Sequence, residues 1–339
     1  MSLILILTIL IVICALAFDF INGFHDTANA IATSVSTKAL KPRQAILLAA
    51  IMNFVGAMTF TGVAKTISKD IVDPFTLSSS AATNTGSIVI LAALIAAVAW
   101  NLITWYYGIP SSSSHALIGS IAGAAVAAKG LNILNYQGFI KILEALILSP
   151  ILAFVVGYIL YSIFKVAFKN FNLTKTNRNF RFIQIATAAL QSYSHGTNDA
   201  QKSMGIITMA LIANNYLPTT ADVPHWVQFS CALAMGLGTS IGGWKIIKTV
   251  GGKIMKIRPI NGVAADLTGA GIIFGASLIH MPVSTTHVIS SGILGVGSSH
   301  RLKGVKWGTA QRMLITWVIT LPISALLAAI CYFILNLIF

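Results

Sequence analysis

Two long apolar segments of this sequence each contain a set of polar and charged side chains at helical spacing. The first set is Asp19, Asn22, Asp26 and Asn29, and the second set is Ser192, His195, Asp199 and Lys202. Residues three and four positions apart share one face of a helix, so each set forms a polar stripe. An ionisable side chain at bilayer depth costs about 2.5–3.5 kcal/mol on insertion scales. We therefore expect both stripes to face the protein interior, where they bind an ion or a substrate.

A purely structural role of the stripes is the alternative. Hydrogen bonds between membrane helices are often worth under ~1 kcal/mol, too little to offset the burial of several charges. The ordinarily charged members of the stripes are Asp19, Asp26, Asp199 and Lys202. A functional role is therefore favoured, and least strongly for Asp19, which we expect near a membrane interface or in a helix break beside Gly23.

A second pair of motifs places a proline, several hydroxyl side chains and a histidine at the start of a short apolar segment. These motifs are PSSSSH at residues 110–115 and PVSTTH at residues 282–287. Ser and Thr commonly cap helices, but a cap uses only one hydroxyl per helix. A helix N-terminus that adds several hydroxyl donors to its exposed N–H groups is a site for an anion. The candidate anion ligands are Ser112, Ser113, Ser114, Ser284, Thr285 and Thr286.

The composition places these motifs in a membrane protein. Of the 339 residues, 56% are hydrophobic and 9% are charged, whereas about a quarter of the residues of a soluble domain are charged. A helix that crosses the bilayer needs about 20 apolar residues. The apolar segments, about ten in number, are 2–36, 45–64, 86–107, 114–128, 140–164, 183–213, 226–244, 262–280, 287–299 and 313–339. We expect an all-α polytopic membrane protein in which the short segments 114–128 and 287–299 belong to re-entrant hairpins.

The positive charge is concentrated in four loops. The sequence has 22 Lys and Arg residues and a formal net charge of +14. The basic residues outside the four loops are Lys65, Lys69, Lys129, Lys141 and Lys202. The loops themselves, each following an odd-numbered apolar segment, are 38–43, 165–181, 245–258 and 301–312. Cytoplasmic loops carry an excess of Lys and Arg, so we expect these loops in the cytoplasm, both termini outside, and no nucleic-acid partner.

The motifs recur at an almost constant offset. Asp26 and its neighbours recur around Asp199, 173 positions later, and PSSSSH recurs as PVSTTH, 172 positions later. Each half holds an odd number of segments, so the second half must insert upside down relative to the first. Such inverted-topology repeats are typical of secondary transporters, which hold the substrate where the halves meet. We expect repeats over residues 1–164 and 183–339, joined by a basic cytoplasmic linker at 165–182.

The sequence indicates neither an enzyme nor a cofactor. Ser114 and His115 are adjacent, and adjacent residues of a helix do not face each other. No nucleophile elbow is present. Cys14, Cys231 and Cys331 lie far apart within apolar segments, so they indicate packing and not a disulfide framework or a metal site.

The quoted motifs resemble the PiT family of inorganic phosphate transporters, and the resemblance covers essentially the whole chain. NGFHDTANAIATSVSTKAL and SHGTNDAQKSMG are similar to the duplicated signature of the family, and PSSSSH and PVSTTH to its hydroxyl-rich hairpins. The forms HDTANA and NDAQKS look like the bacterial low-affinity branch. The resemblance implies a plasma-membrane phosphate symporter driven by protons or sodium. It also implies a homodimer with an elevator-like movement of a transport domain.

The resemblance assigns roles to individual residues as well. It implies that the six hydroxyl residues of the hairpins contact phosphate. The positions expected to be linked to the cation are Asp26, Asn29, Asn198 and Asp199. Lys202 departs from the sodium-coupled pattern, in which the second copy has an asparagine, and this argues against a symmetric pair of sodium sites.

Charge balance favours a symporter. Phosphate beside Asp26 and Asp199 is repelled unless positive charge accompanies it, and Lys202, the helix N-termini and a co-transported cation supply that charge. An ammonium group has no lone pair to offer to sodium, whereas a buried carboxylate readily takes a proton because desolvation disfavours its charged form. We therefore expect proton coupling over sodium coupling. If sodium is used, Asp26 and Asn29 are its expected ligands.

Other substrates and a different mechanism stay open at this point. A transporter of another tetrahedral oxyanion, such as sulfate, would use the same hairpins. A passive anion channel would conduct without a driving gradient. The substrate itself is either free phosphate or a metal-phosphate complex.

Overall fold

The structure is a computed structural model that describes residues 2–72 and 84–339. Over these residues the chain is built from α-helices, with short 3-10 turns at Leu131–Ile133 and Leu302–Gly304. The α-helices are α1 Leu3–Ser36, α2 Pro42–Ala57, α3 Gly62–Asp70, α4 Thr85–Tyr107, α5 Ser113–Lys129, α6 Tyr136–Ala167, α7 Leu173–Ala213, α8 His225–Ile241, α9 Trp244–Gly252, α10 Pro259–Leu278, α11 Thr285–Arg301 and α12 Trp307–Ile338. The expectation of an all-α fold is confirmed for the described residues.

The helices fit a membrane in different ways. Within the described ranges, α1, α4, α6 and α12 are long and apolar enough to cross a bilayer. The pair α2 and α3 is bent by 68° at a short break, and it adds a fifth span if the pair counts as one. All ten apolar segments lie on helices, but 45–64 and 226–244 are each divided between two of them. The number of crossings therefore stays a prediction.

The basic stretch 165–182, expected to link the two halves, is largely helical. Helix α6 runs to Ala167 and α7 begins at Leu173. The start of α7 is set by Asn172, whose side-chain oxygen accepts hydrogen bonds from the backbone N–H groups of Thr174 and Lys175 at 3.0 and 3.1 Å. Asn is among the preferred N-cap residues because it satisfies these otherwise unpaired donors.

Helix packing on the two sides of residues 168–172 follows one scheme. Helix α1 packs against α8, and α7 packs against α2. In the same reciprocal way, α5 packs against α12 and α11 packs against α6. Each half also packs its first helix against the helix that precedes its hydroxyl motif. These pairs are α1 with α4 and α7 with α10. This arrangement surrounds the polar stripes with other helices, although the inverted orientation of the halves stays a prediction.

Each hydroxyl motif lies at a break between two helices that pack on each other, α4 with α5 and α10 with α11. The first break contains Gly108 at φ 65° and the second contains His280 at φ 61°, again 172 positions apart. This left-handed conformation suits glycine and is uncommon for histidine. The same turn follows at both places. The N–H of the next residue, Ile109 or Met281, donates at 2.9 Å to the backbone carbonyl five positions before it. The chain thus turns back on itself at both breaks. That these turns are re-entrant hairpins in the membrane stays a prediction.

Candidate functional site

The two breaks meet in the interior of the protein. Ser114 Oγ donates to the carbonyl of Val283 at 2.8 Å, and the rings of His115 and His287 lie 4.5 Å apart. Motifs that are 172 positions apart in the sequence therefore form one cluster. The cluster lies against α1 and α7, at the middle of both polar stripes.

Asp26, on α1, is 1% exposed and is contacted from both breaks. Ser113 Oγ and Thr286 Oγ1 donate to its carboxylate at 3.4 Å each. Asn29 Nδ2 donates to Thr286 Oγ1 at 2.8 Å, which orients that hydroxyl. His25 Nδ1 lies 2.6 Å from Asp26 Oδ1 and must donate when Asp26 is ionised.

Asp199, on α7, is fully buried and has a different set of partners. Lys202 Nζ donates to its Oδ1 at 2.5 Å. Thr285 Oγ1 and Asn22 Nδ2 donate to its Oδ2 at 3.1 and 3.3 Å, and His195 Nε2 lies 3.2 Å from the same oxygen. Both stripes therefore contribute to one polar centre, and the expectation that they face the protein interior is confirmed.

The six hydroxyl residues divide into groups with different contacts. Ser112 and Ser284 are the N-caps of α5 and α11, and they accept from the backbone N–H of the histidine three positions later at 3.1 and 3.3 Å. Capping therefore explains one hydroxyl per helix. Ser113, Thr285 and Thr286 instead donate to carboxylates. A hydroxyl rotates freely and has one hydrogen to give, so these three can turn from a carboxylate to the oxygens of a bound anion.

The centre also offers ligands to a cation. Ligand atoms of Asp26, His195 and Asp199 all lie within 4.8 Å of one another, a spacing that could hold a metal ion. The side-chain oxygens of Asn22 and Asn29 are buried and accept no hydrogen bond from the residues that the structure describes. Carboxylate and amide oxygens are ligands for hard cations, and the carboxylates can equally take protons.

The side chain of Asn198 contacts the second break. Its Nδ2 donates to Ser277 Oγ at 3.1 Å and to the carbonyl of Met281 at 3.2 Å, while its Oδ1 accepts from Val283 N–H at 3.2 Å. The side chain therefore fixes the second break in place. The link between Asn198 and the cation, which we expected, stays a prediction.

Asp19 lies on an unbroken part of α1. Helix α1 continues without a break through Gly23, and Asp19 is fully buried. Ser203 Oγ donates to its Oδ1 at 2.7 Å. The expectation of a helix break beside Gly23 was wrong, because α1 is continuous there. A position of Asp19 near a membrane interface stays a prediction.

Several residues at or near the centre do not stand out in the sequence. His25 Nε2 lies 3.1 Å from Thr104 Oγ1, and Asn53 Oδ1 lies 3.0 Å from His195 Nδ1. The repeat does contain a signal for Thr104, because Ser277 lies 173 positions after it. Thr104 contacts His25 and Ser277 contacts Asn198, the residues directly before Asp26 and Asp199. Asp266, a further buried carboxylate, lies alone inside an apolar segment and belongs to neither stripe.

Comparison with known proteins agrees with this geometry. A model of the phosphate transporter family matches residues 22–328. A probable low-affinity inorganic phosphate transporter of Bacillus subtilis (strain 168) is 79% identical over 339 residues, covering 100% of both chains. A protein of the same description from Rhizobium meliloti (strain 1021) is 43% identical over 325 residues, which are 96% of this chain and 95% of the relative.

A solved structure is similar as well. It is described as the sodium-dependent phosphate transporter, with a TM-score of 0.89 and 26% sequence identity. The similarity covers 98% of this chain and 100% of that chain. Proteins with these names are transporters and not enzymes. This chain therefore belongs to the phosphate transporter family.

Proposed function

We propose that this protein takes up inorganic phosphate by symport with a cation, and that the cation is a proton. One observation carries the proposal. Lys202 is paired with Asp199 at 2.5 Å, whereas no lysine or arginine forms an ion pair with Asp26 in the described part of the chain. The polar centre thus contains two carboxylates and one ammonium group, and a phosphate entering it brings further negative charge.

Phosphate binding is supported by the donors that converge on the centre. Ser113, Thr285 and Thr286 present hydroxyl groups, and the N-termini of α5 and α11 point toward the same place. Backbone N–H groups and the positive end of a helix dipole favour an anion. Lys202 adds a positive charge that can be shared between Asp199 and phosphate.

A cation restores the charge balance at Asp26. Two unit charges 4 Å apart interact by about 4 kcal/mol at an effective dielectric constant of 20, so unbalanced phosphate next to Asp26 is strongly disfavoured. His25, 2.6 Å from Asp26, gives this carboxylate a neighbour that also binds protons. Lys202 fills the position in the second stripe that corresponds to Asn29 in the first, and an ammonium group cannot be a ligand of sodium. Both features favour a proton.

Sodium is the second candidate, and specific observations support it. The similar solved structure is described as sodium-dependent. The buried side-chain oxygens of Asn22 and Asn29 lie on the same stripe as Asp26 and, within residues 2–72 and 84–339, accept no hydrogen bond. In this version of the proposal, Asp26 and Asn29 bind one sodium ion and Lys202 replaces a second one.

The proposal includes the movement and the assembly that the family resemblance implies. The reciprocal packing of the two halves supports inverted repeats with the substrate between them. Helices α6 and α12 expose apolar side chains such as Ile147 and Leu314. We assign these two helices to a part that stays fixed in the membrane and joins a second subunit in a homodimer, while the polar centre moves. The basic loops face the cytoplasm in this arrangement, and both termini lie outside.

Uptake by purified protein in liposomes tests the substrate and the mechanism together. We expect labelled phosphate to accumulate above its external concentration when a cation gradient is imposed, and excess unlabelled sulfate to leave this uptake unchanged. Inhibition by sulfate equal to that by unlabelled phosphate would indicate a general oxyanion transporter. Equilibration without accumulation would indicate a channel.

A further inference from the structure

A large cavity lies beside the two hydroxyl motifs but outside the polar centre. It has a volume of about 930 Å³ and lies between α6 and α12, with His115 of α5 and His287 of α11 in its wall. In the part of the chain that the structure describes, no Asp, Glu, Lys or Arg side chain lines it. The cavity is therefore separate from the charges of the polar centre, and its apolar wall suits a hydrocarbon.

Corresponding positions of the two halves form the walls of the cavity. Pro150 of α6 and Pro322 of α12 both line it and are 172 positions apart. A proline inside a helix removes one backbone hydrogen bond and commonly kinks the helix. Ile147 and Val318, close to these prolines, also line the cavity and are exposed. Their exposure places the mouth of the cavity on the apolar outer surface, between α6 and α12.

Three rings lead from the hydroxyl motifs to the wall of the cavity. The rings of His115 and His287 lie 4.5 Å apart, and the ring of His287 is stacked on that of Trp317 with 4.0 Å between their centroids. His287 is 2% exposed and Trp317 is 6% exposed. Nε2 of His287 and Nε1 of Trp317 have no hydrogen-bond partner among the described residues. Buried polar groups are normally paired, so this wall holds two nitrogen atoms that a ligand can pair.

The two nitrogen atoms restrict the chemical class of the ligand. The indole N–H of Trp317 can only donate, whereas Nε2 of His287 donates or accepts according to its tautomer. A hydroxyl group accepts from the indole while it donates to the imidazole or accepts from it, so it pairs both nitrogens in either tautomer. An ionised headgroup would lie unpaired against an apolar wall at a large cost. The ligand that fits is an uncharged amphipathic molecule, a hydrocarbon chain that ends in a hydroxyl group.

A second copy of the chain does not fill this cavity. In a homodimer with two-fold symmetry, the same patch of both subunits meets at the axis. A concave surface would then face its own copy, and the space would stay open. A lipid chain enters from the membrane, where hydrocarbon is the surrounding medium.

We propose that this cavity binds an uncharged membrane lipid with a hydroxyl headgroup, of the monoacylglycerol class, and that the bound lipid slows transport. Its hydroxyl contacts Trp317 and His287, and its chain lies between α6 and α12. The effect on transport rests on the proposed function, in which Trp317 belongs to the part that stays fixed and His287 to a motif beside the moving polar centre. A lipid that binds both side chains joins the two parts.

Quenching of tryptophan fluorescence tests the binding and does not depend on transport. The probes are a monoacylglycerol with a brominated chain and the methyl ester of the same brominated fatty acid, each mixed into liposomes that contain the purified protein. The signal of Trp317 is the difference between the wild-type protein and Trp317→Phe. We expect half-maximal quenching of Trp317 at an about fivefold lower mole fraction of the monoacylglycerol, because the ester has no hydroxyl group.

A second tryptophan provides the control for this measurement. Trp226 is exposed on α8 and does not line the cavity. Its signal is obtained in the same way with Trp226→Phe, and we expect both probes to quench it at the same mole fraction.

Phosphate uptake into the same liposomes tests the effect on transport. The monoacylglycerol without bromine should slow accumulation by the wild-type protein, and Trp317→Phe should need about fivefold more of it. Trp317→Phe keeps an aromatic ring against His287, so its uptake without added lipid should equal that of the wild-type protein. Gly308→Leu is a second variant, since Gly308 lines the cavity and a Cβ atom there meets nothing within 4 Å. The leucine takes up space in the cavity and should weaken the quenching of Trp317 by the monoacylglycerol.

Several results would overturn the proposal. Equal potency of the two probes at Trp317 would show that the hydroxyl group is not recognised. Quenching of Trp226 without quenching of Trp317 would show that a second subunit or the protein itself closes the cavity. Equal slowing of uptake in the wild-type protein and Trp317→Phe would indicate a general effect on the bilayer.

Two further results keep the test decisive. If Trp317→Phe does not fold, unchanged total quenching by the monoacylglycerol in Gly308→Leu would overturn the binding site. Failure of the wild-type protein to accumulate phosphate without added lipid would instead reject the proposed function, and the quenching measurement would still decide whether the cavity binds the lipid.

Discussion

Lys202 Nζ lies 2.5 Å from Asp199 Oδ1, one helical turn away on α7, and both side chains are buried. The corresponding pair of the first stripe, Asn29 and Asp26, has no such bond, because Asn29 donates to Thr286 instead. The two pairs occupy corresponding positions of their stripes and differ by one charge. This asymmetry sets the charge balance of the polar centre.

Removing the ammonium group tests the pair directly. Lys202→Asn leaves Asp199 buried without its charged partner, so we expect a loss of about 3–5 kcal/mol in stability. The double variant Asp199→Asn/Lys202→Asn should melt at a higher temperature than Lys202→Asn alone, because it leaves no unpaired charge. Lys248→Asn, at an exposed position, is the control. In liposomes, Lys202→Asn should accumulate less phosphate or become dependent on sodium. A melting temperature equal to that of the wild-type protein would show that the pair contributes nothing.

The two carboxylates are expected to be essential for accumulation. Asp26→Asn and Asp199→Asn should each abolish it, because neither amide can take up a proton or balance a cation. Asp222→Asn is a matched control, since this aspartate is exposed and pairs with Lys65 at the surface. Size-exclusion chromatography in detergent checks that the variants are folded. Normal uptake by either variant at normal expression would assign these carboxylates to the structure alone.

The hydroxyl groups of the hairpins should separate into ligands and caps. Ser113→Ala and Thr285→Ala each remove a donor from the anion, at a cost of about 1–3 kcal/mol. The half-saturation concentration for phosphate should then rise about 5- to 150-fold. Ser112→Ala removes an N-cap and should lower stability by about 0.5–2 kcal/mol, with a smaller effect on half-saturation. The opposite ranking of Ser112 and Ser113 would reverse their assignments.

Close packing of α7 on α2 depends on Gly196. A Cβ atom at this position would lie 2.2 Å from the carbonyl oxygen of Asn53, a backbone atom that cannot move aside alone. We expect Gly196→Ala to destabilise the protein by about 1–3 kcal/mol through overpacking. Gly271→Ala is the control, because a Cβ there meets nothing within 4 Å, and alanine favours a helix by about 0.5–1 kcal/mol. Melting temperatures in detergent that are equal for the two variants would contradict this.

The sequence was informative wherever the repeat and the membrane act together. Buried charge is costly in a bilayer, so the stripes around Asp26 and Asp199 were recognisable and are indeed buried side by side. The constant offset likewise marked the two hydroxyl motifs as a pair, and they do meet in the interior. The apolar composition also predicted an all-helical chain, and the resemblance of the motifs predicted its family.

Other features depend on contacts that the sequence does not display. Ala93 and Leu94, which precede Asp266 by 173 and 172 positions, are both apolar, so the repeat gave no signal for Asp266. The side chain of Ser112 is used by its own helix and that of Asn198 by the second break, which follows from backbone geometry alone. Lys202 had two plausible partners, Asp199 and phosphate, and only the structure shows the contact with Asp199.

Phosphate uptake into liposomes under separately imposed gradients tests the central claim, coupling to protons, most directly. All measurements use one external pH, so that the ionisation of external phosphate stays the same. We predict accumulation with an inward proton gradient and no sodium, and loss of that accumulation when a protonophore is added. An inward sodium gradient without a proton gradient should leave phosphate unconcentrated. Accumulation that requires sodium and ignores both the proton gradient and the protonophore would contradict the account, and with it the role assigned to Lys202.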